Sequence, residues 1–326
     1  MSHRLVDDRD AVAVLAEQVA DRTGIPASHI EKDFWVTEVL RGAAAATTAS
    51  NLEIVFKGGT SLSKAFGLIE RFSEDVDLLL IIPGSLGTGA ADSKLKALIG
   101  GAATATGLTA ETVANATSKG VKRGARFHYR ESDPGSGLSA GVFLEIGSRG
   151  GAMPATLMSV TSILSQHAAT ELEDCPESEP VHVRVLDPCR TLVEKLVLLH
   201  TAHTSPDPHD AIRGARHYYD VHQLLANPAV VAAMNVIGIE TLSRDVYTYS
   251  TAASLPADPR PAGGFAKSPA FTNGQHARGD ARAIRAVRAR PAPLATRGKA
   301  VLRLLSQRRE KCERCAMTTP SFGHGT

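Results

Sequence analysis

Four residues, Gly58-Gly59-Thr60-Ser61, and two acids further on, Asp75 and Asp77, have the types and spacing that chemistry on a phosphate needs. An apolar strand, Leu52 to Phe56, runs into the glycines. Glycine lets the backbone approach a phosphate closely, while Thr60 and Ser61 add hydroxyls and N–H donors where a helix begins. Successive strand side chains point to opposite faces, so Asp75 and Asp77 at i, i+2 project from the same face. Two adjacent carboxylates repel unless a cation sits between them, and oxygen-only ligation favours Mg²⁺ carried with a nucleotide's phosphates. Lys57 and Lys64 flank the turn, where a lysine reaches a phosphate as a point charge; Lys64 shares a helix face with Ser61 and is expected to be solvated. A phosphate cradle beside a metal clamp is the equipment of nucleotidyl transfer.

Each feature also has a plainer reading. Gly-Gly pairs make ordinary turns, and an Asp-x-Asp at a strand edge is often only hydrated. Order and context weigh against that. A strand as apolar as Val76 to Ile82 does not open with Glu74, Asp75 and Asp77 unless that end faces a site.

The elements that must position these residues follow from period and punctuation. Val12, Leu15 and Val19 form one stripe of a helix over Asp10 to Thr23, ended by Gly24-Ile25-Pro26. Ser28 and Glu31 read as a capping box opening a second helix to about Ala44. A helix over Thr60 to Leu68 separates the two site strands, and another is expected over Ala91 to Gly100. Ala125 to Arg130 and Leu138 to Gly147 read as an antiparallel pair around Asp133-Pro134-Gly135-Ser136-Gly137. Thr156 to Ser165 and Val181 to Val185 read as further strands. Asp187 as N-cap and Pro188 at the first helical position then start a long helix, and another runs from about Asp210 to Ala226. The expected class is α+β: a mixed sheet flanked by helices over 1–186, then a mainly helical half over 187–272.

Composition sets bounds. The chain has 326 residues, 43% of them hydrophobic, which fits a folded protein with a sizeable core. Its start carries both charges and no apolar signal core, and no apolar run reaches the roughly 18 residues of a membrane span. Four cysteines suit a reducing compartment, so a cytoplasmic location is expected. Cys312 and Cys315 lack a second Cys/His pair to complete a zinc site. Net charge is only +2, so contact with nucleic acid requires a local basic patch.

Gly58 to Lys64, joined to Arg71-Phe72-Ser73-Glu74-Asp75-Val76-Asp77-Leu78, resembles the first motif of the AbiEii-type nucleotidyltransferase toxins of type IV toxin–antitoxin and abortive-infection systems, which include the mycobacterial MenT toxins. Glu31 to Arg41, Thr191 to Leu196, and Arg216-His217-Tyr218-Tyr219-Asp220 fit the same family in the same order, over roughly residues 10 to 272. The resemblance implies a nucleotide-binding role at Ser73, a triphosphate contact from Lys195, a site acid at Asp220 that orients Lys195 or the base, and a phosphate or RNA contact from Arg216. It also implies a third carboxylate from a neighbouring strand. Glu145 is best placed, as metal ligand or general base, because an acid inside an apolar strand is costly unless paired or metal-bound. Its plainer alternatives are an edge position or a salt bridge with Arg149. For Lys195 the plain reading is a lysine snorkelling from an apolar face, and for Asp220 an i, i+4 pair with Arg216.

The expected activity is thus Mg²⁺-dependent transfer of an NMP from an NTP. The resemblance makes a tRNA 3′ end the acceptor, with translation stopped as the result, and a winged-helix antitoxin the partner. Two rivals stand beside it: a non-catalytic protein that binds nucleotide, RNA or antitoxin, and a small-molecule nucleotidyltransferase of the antibiotic-modifying kind. Residues 273–326 are rich in Arg, Ala and Pro. They read either as a basic tail gripping RNA phosphates or as a poorly ordered stretch translated in a shifted frame.

Overall fold

The computed structural model describes residues 4–50, 52–82, 86–205 and 214–272. The tail, Cys312, Cys315 and the expected helix start at Asp210 lie outside the described residues. Seven strands of the described chain form one mixed sheet: β1 (Glu53–Lys57), β2 (Asp75–Ile81), β3 (Thr109–Ser118), β4 (Lys122–His128), β5 (Val142–Gly147), β6 (Ala155–Val160) and β7 (Val181–Leu186). They lie in the order β3-β4-β5-β2-β1-β7-β6. The central pair β1–β2 is antiparallel, and each member has a parallel neighbour, β7 beside β1 and β5 beside β2.

Period-two alternation sorts the two faces of the sheet. Val76, Leu78 and Leu80 of β2, Ala125 and Phe127 of β4, and Leu144 and Ile146 of β5 are all buried in one core cluster. Helix α2 (Ala27–Ala49) lies against them, with α1 (Arg9–Thr23) on its back and α4 (Thr88–Thr106) beside it. Phe34, Trp35 and Leu40 of α2 are at most 1% exposed. Each large apolar side chain so buried contributes about 1.5–3 kcal/mol. The opposite face carries Asp75, Asp77, Phe143 and Glu145, each only partly buried.

A second apolar cluster is built from α6 (Pro188–Thr204), α7 (Ala215–Leu225), α8 (Pro228–Ile237) and α9 (Ile239–Ala252), with α10 (Pro269–Thr272) at its end. It takes in Leu62 of α3 (Gly58–Lys64) and Ile69. The Glu70 amide donates to the Tyr219 hydroxyl at 3.1 Å, which docks α7 against the segment leading into β2. The expected helix start at Asp187 is present: its side chain accepts the Cys189 amide at 2.8 Å, and Pro188 opens α6.

Several expectations are corrected. Helix α2 starts at Ala27 behind Pro26 without a side-chain cap; Glu31 instead accepts both the amide and the hydroxyl of Ser132. The strand expected over Thr156 to Ser165 ends at Val160, and Ser162 caps a short helix, α5 (Ile163–His167). Strand β3 had no apolar alternation to announce it, since its residues are all exposed or half-buried at the sheet edge. Lys64 is not solvated: its ammonium is buried against Asp33.

Candidate active site

Strand register assembles the site. In the antiparallel β1–β2 pair Lys57 lies opposite Asp77, and in the parallel β2–β5 pair Asp77 lies opposite Glu145. One row thus crosses three strands as cation, acid, acid. Asp75 lies one step along the same face, opposite Phe143. Asp77 is pushed up to about 6, first by burial, with Glu145 and Asp75 adding to the effect and Lys57 opposing it. Burial also raises Asp75, against the pull of Arg216, whose guanidinium is 3.8 Å from its carboxylate.

The glycine turn closes over this row. Gly58 has φ +77°, the left-handed region, and a Cβ there would stand 2.0 Å from Asp77 Oδ2. A Cβ on Gly59 would stand 2.4 Å from the Arg71 guanidinium and 3.1 Å from the Ser73 hydroxyl. The glycines therefore admit the protein's own acid and arginine against the turn. Thr60 and Ser61 are fully buried. Thr60 donates to the Asp75 carbonyl and lies 2.8 Å from the Ser73 hydroxyl, while Ser61 donates to the Gly58 carbonyl at 2.9 Å. Their hydroxyls brace the turn from within and tie it to the strand that carries the acids.

Helices α6 and α7 supply the cations. Lys195 Nζ is 2.8 Å from Asp220 Oδ2 and is only 7% exposed as a residue, so it does not snorkel to water. Asp220 has no exposed surface. Burial works against its charge, but hydrogen bonds from Arg71 and the charge of Lys195 hold its carboxyl below the usual range. It does not pair with Arg216, which reaches Asp75 instead. Lys195 also donates toward His217 Nδ1 at 3.4 Å. Burial, with Lys195 and Arg216 nearby, lowers His217 to about 3, so the ring is neutral. Lys57 is held by Glu194, 3.4 Å away on α6, and that acid raises its pKa.

Glu145 is neither at an edge nor paired with Arg149. Strand β5 is interior, and Glu145 Oε2 is 3.1 Å from Lys122 Nζ. Among the described residues no three His, Cys, Asp or Glu side chains gather as one metal-ligand set. Asp75 and Asp77 offer a same-face pair of hard oxygen donors with Glu145 opposite Asp77, and a divalent cation would relieve the repulsion that Asp77 bears from both neighbouring acids. That donor set fits such an ion.

Sequence reasoning missed Arg71 and Glu194 as parts of the site. Arg71 donates from Nε to Asp220 Oδ1 at 2.7 Å and from its second nitrogen to Oδ2 at 2.8 Å. The available signal was that a buried acid needs a cation, and Arg71 stands just before Ser73. In the charged run Glu31-Lys32-Asp33 of α2 each member secures a different segment. Lys32 Nζ donates to the Ser139 carbonyl at 2.5 Å and to Gly141, and pairs with Glu74 at 3.3 Å. Asp33 accepts the Ile163 amide at 2.6 Å while holding Lys64.

A glycine turn on a mixed sheet, paired acids on the next strand and a buried lysine from α6 are the equipment expected for nucleotidyl transfer. The model of the nucleotidyl transferase AbiEii toxin family, a type IV toxin–antitoxin system, matches residues 39–290, and the chain belongs to that family. That match runs past residue 272, where the resemblance read from the motifs stopped. A comparison with curated proteins finds no match. Among solved structures the chain is similar to the nucleotidyltransferase toxin MenT4 of Mycobacterium tuberculosis H37Rv, at 17% identity and a TM-score of 0.37, covering 86% of this chain and 98% of that one. It is also similar to JHP933 from Helicobacter pylori, at 14% identity and a TM-score of 0.28, covering 75% and 95%. The family implies an antitoxin partner and the use of a divalent metal ion. Among the described residues no helix is long and apolar enough to cross a membrane.

Proposed function

We propose that this toxin transfers the nucleoside monophosphate of an NTP, in the presence of Mg²⁺, to the 3′ end of a tRNA in the cytoplasm and so stops translation, with a winged-helix antitoxin opposing it. The alignment of Lys57, Asp77 and Glu145 across β1, β2 and β5, beneath the Gly58–Gly59 turn, carries the reading.

The reaction is an in-line displacement at the α-phosphate, with pyrophosphate leaving. Asp75 and Asp77 are the residues that would hold Mg²⁺, which supplies charge neutralisation at the phosphates when bound. The Gly58–Gly59 turn, Thr60, Ser61 and Ser73 shape the seat of the triphosphate. Lys57 and Lys195 offset the charge that grows on the departing pyrophosphate, and Arg216, beside Asp75, does the same. Asp220, gripped by Arg71, orients Lys195, and the neutral His217 accepts from that ammonium without adding charge. Glu145 accepts the proton of the attacking hydroxyl, and the acceptor gains a phosphodiester as the bond to pyrophosphate breaks.

Purified chain incubated with each α-labelled NTP, Mg²⁺ and total RNA tests the proposal. Label on RNA of tRNA size, absent with Asp75→Ala, is the expected result. Label on no RNA with any of the four NTPs would sink it.

A further inference from the structure

The open face of the sheet carries an aromatic ring among its charges. Phe143 lies opposite Asp75 in the β2–β5 register and opposite Arg126 in the β4–β5 register. Its side chain is half-buried on the same face as Glu145, the face that the core helices do not cover. A Cβ added at Gly124 would stand 3.0 Å from the ring, so the missing side chain lets Phe143 lie down on the sheet. The Arg126 guanidinium stands over the ring, 5.5 Å from its centroid, and is steadied by the Ala140 carbonyl. The ring backs the guanidinium, and such a stacked pair presents a planar π group on which a nucleobase stacks in a sequence-tolerant way.

The shelf has a definite side. Lys57 ends β1 and the glycine turn follows it, on one flank of β2, whereas Phe143 is on β5, on the other. In-line displacement puts the attacking hydroxyl opposite the departing pyrophosphate. With the triphosphate seated at the turn, the group that reaches the β5 side is the acceptor.

We infer that Phe143, with Arg126 over it, forms a shelf for the terminal nucleobase of the acceptor strand, beside the acids. The inference deepens the transfer reading above and rests on its orientation of the triphosphate. A shelf of this kind holds the 3′-terminal nucleotide by its base whatever the sequence behind it.

The test uses the full chain, Mg²⁺ and a non-transferable α,β-methylene NTP, with two fluorescent single-stranded RNA pentamers as probes. One pentamer is intact and the other has an abasic 3′-terminal nucleotide. Stacking on an aromatic side chain corresponds to roughly tenfold or more in affinity. The intact pentamer should therefore bind about tenfold more tightly than the abasic one. That ratio should fall to near one in Phe143→Ala, recover in Phe143→Trp and stay low in Phe143→Leu, which keeps apolar bulk without a π face. Affinity for the NTP analogue should be unchanged in all three variants, which also confirms that they fold. A ratio near one in the wild type overturns the shelf. Loss of NTP affinity instead of RNA discrimination overturns the acceptor assignment, because the ring would then hold the base of the NTP. A base-dependent ratio in a protein that transfers nothing would keep the shelf while removing the proposed reaction.

Discussion

Arg71 and Asp220 stand 149 residues apart in the chain and face each other fork to fork, with both carboxylate oxygens engaged at 2.7 and 2.8 Å. The pair joins the segment leading into β2 to helix α7, and Lys195 completes it from α6. A carboxylate with no exposed surface needs a counter-charge, and here Arg71 engages both oxygens while Lys195 adds a second cation. The acids of the sheet and the lysine of the helices are therefore held in register by one buried charge cluster.

Removing the acid should cost more than removing either cation. Asp220→Ala leaves Arg71 and Lys195 buried together without a counter-charge, and breaking a buried pair this way costs about 3–5 kcal/mol. Chemical denaturation should show a loss of that size, together with loss of transfer. A loss under 1 kcal/mol would mean that Asp220 does not hold the two halves together.

Lys195→Ala separates catalysis from folding. Arg71 still satisfies both oxygens of Asp220, so the fold should persist with a modest loss of stability. Single-turnover transfer should fall on the order of 10²-fold, as for other donors to transition-state charge. An unchanged rate would return Lys195 to a purely structural role.

Asp75→Ala and Asp77→Ala should each abolish metal-dependent transfer while leaving the protein folded, since both acids lie on the open face rather than in the core. Calorimetric titration with Mg²⁺ or Mn²⁺ in the presence of NTP would check the cause directly. Wild-type metal binding in either variant would refute the ligand assignment.

Asp77 also gives the cation-free protein a pH signature. Its folded pKa, about 6, lies above the ordinary 3.8. Between those values the folded protein keeps a proton that the unfolded chain has released, so the contribution of Asp77 to stability falls as pH rises through that window. Asp77→Asn should therefore be more stable than the wild type above about pH 6, on the order of 3 kcal/mol. The difference should vanish below about pH 4. Thermal melts with a chelator present, from pH 4 to 8, read this out. Added divalent cation should reverse the order above pH 6 by stabilising only the wild type.

Gly58→Ala tests the turn. Its φ of +77° disfavours a side chain, and the new methyl would collide with the Asp77 carboxylate. Transfer should be lost and stability lowered by about 1–3 kcal/mol. Normal activity would show that the turn can open without consequence.

The sequence by itself pointed to nucleotidyl transfer and determined much of the scaffold that bears the candidate site. The Gly-Gly-Thr-Ser turn, the i, i+2 acids, the apolar run behind them and the capped start at Asp187 are local signals, set by backbone conformation and strand period within a few residues. Lys195 and Asp220 were legible through motif resemblance, although the residues around them also allowed an exposed lysine and a surface ion pair. Only the tertiary structure decided what each group meets. Arg71 reaches Asp220, Glu145 reaches Lys122 instead of Arg149, Lys64 is buried on Asp33, and Phe143 lies on Gly124 beside Asp75. Each of these contacts depends on strand order, register or helix docking. A charge in a sequence shows that a partner is needed, and packing over long chain separations decides which partner is near enough to serve.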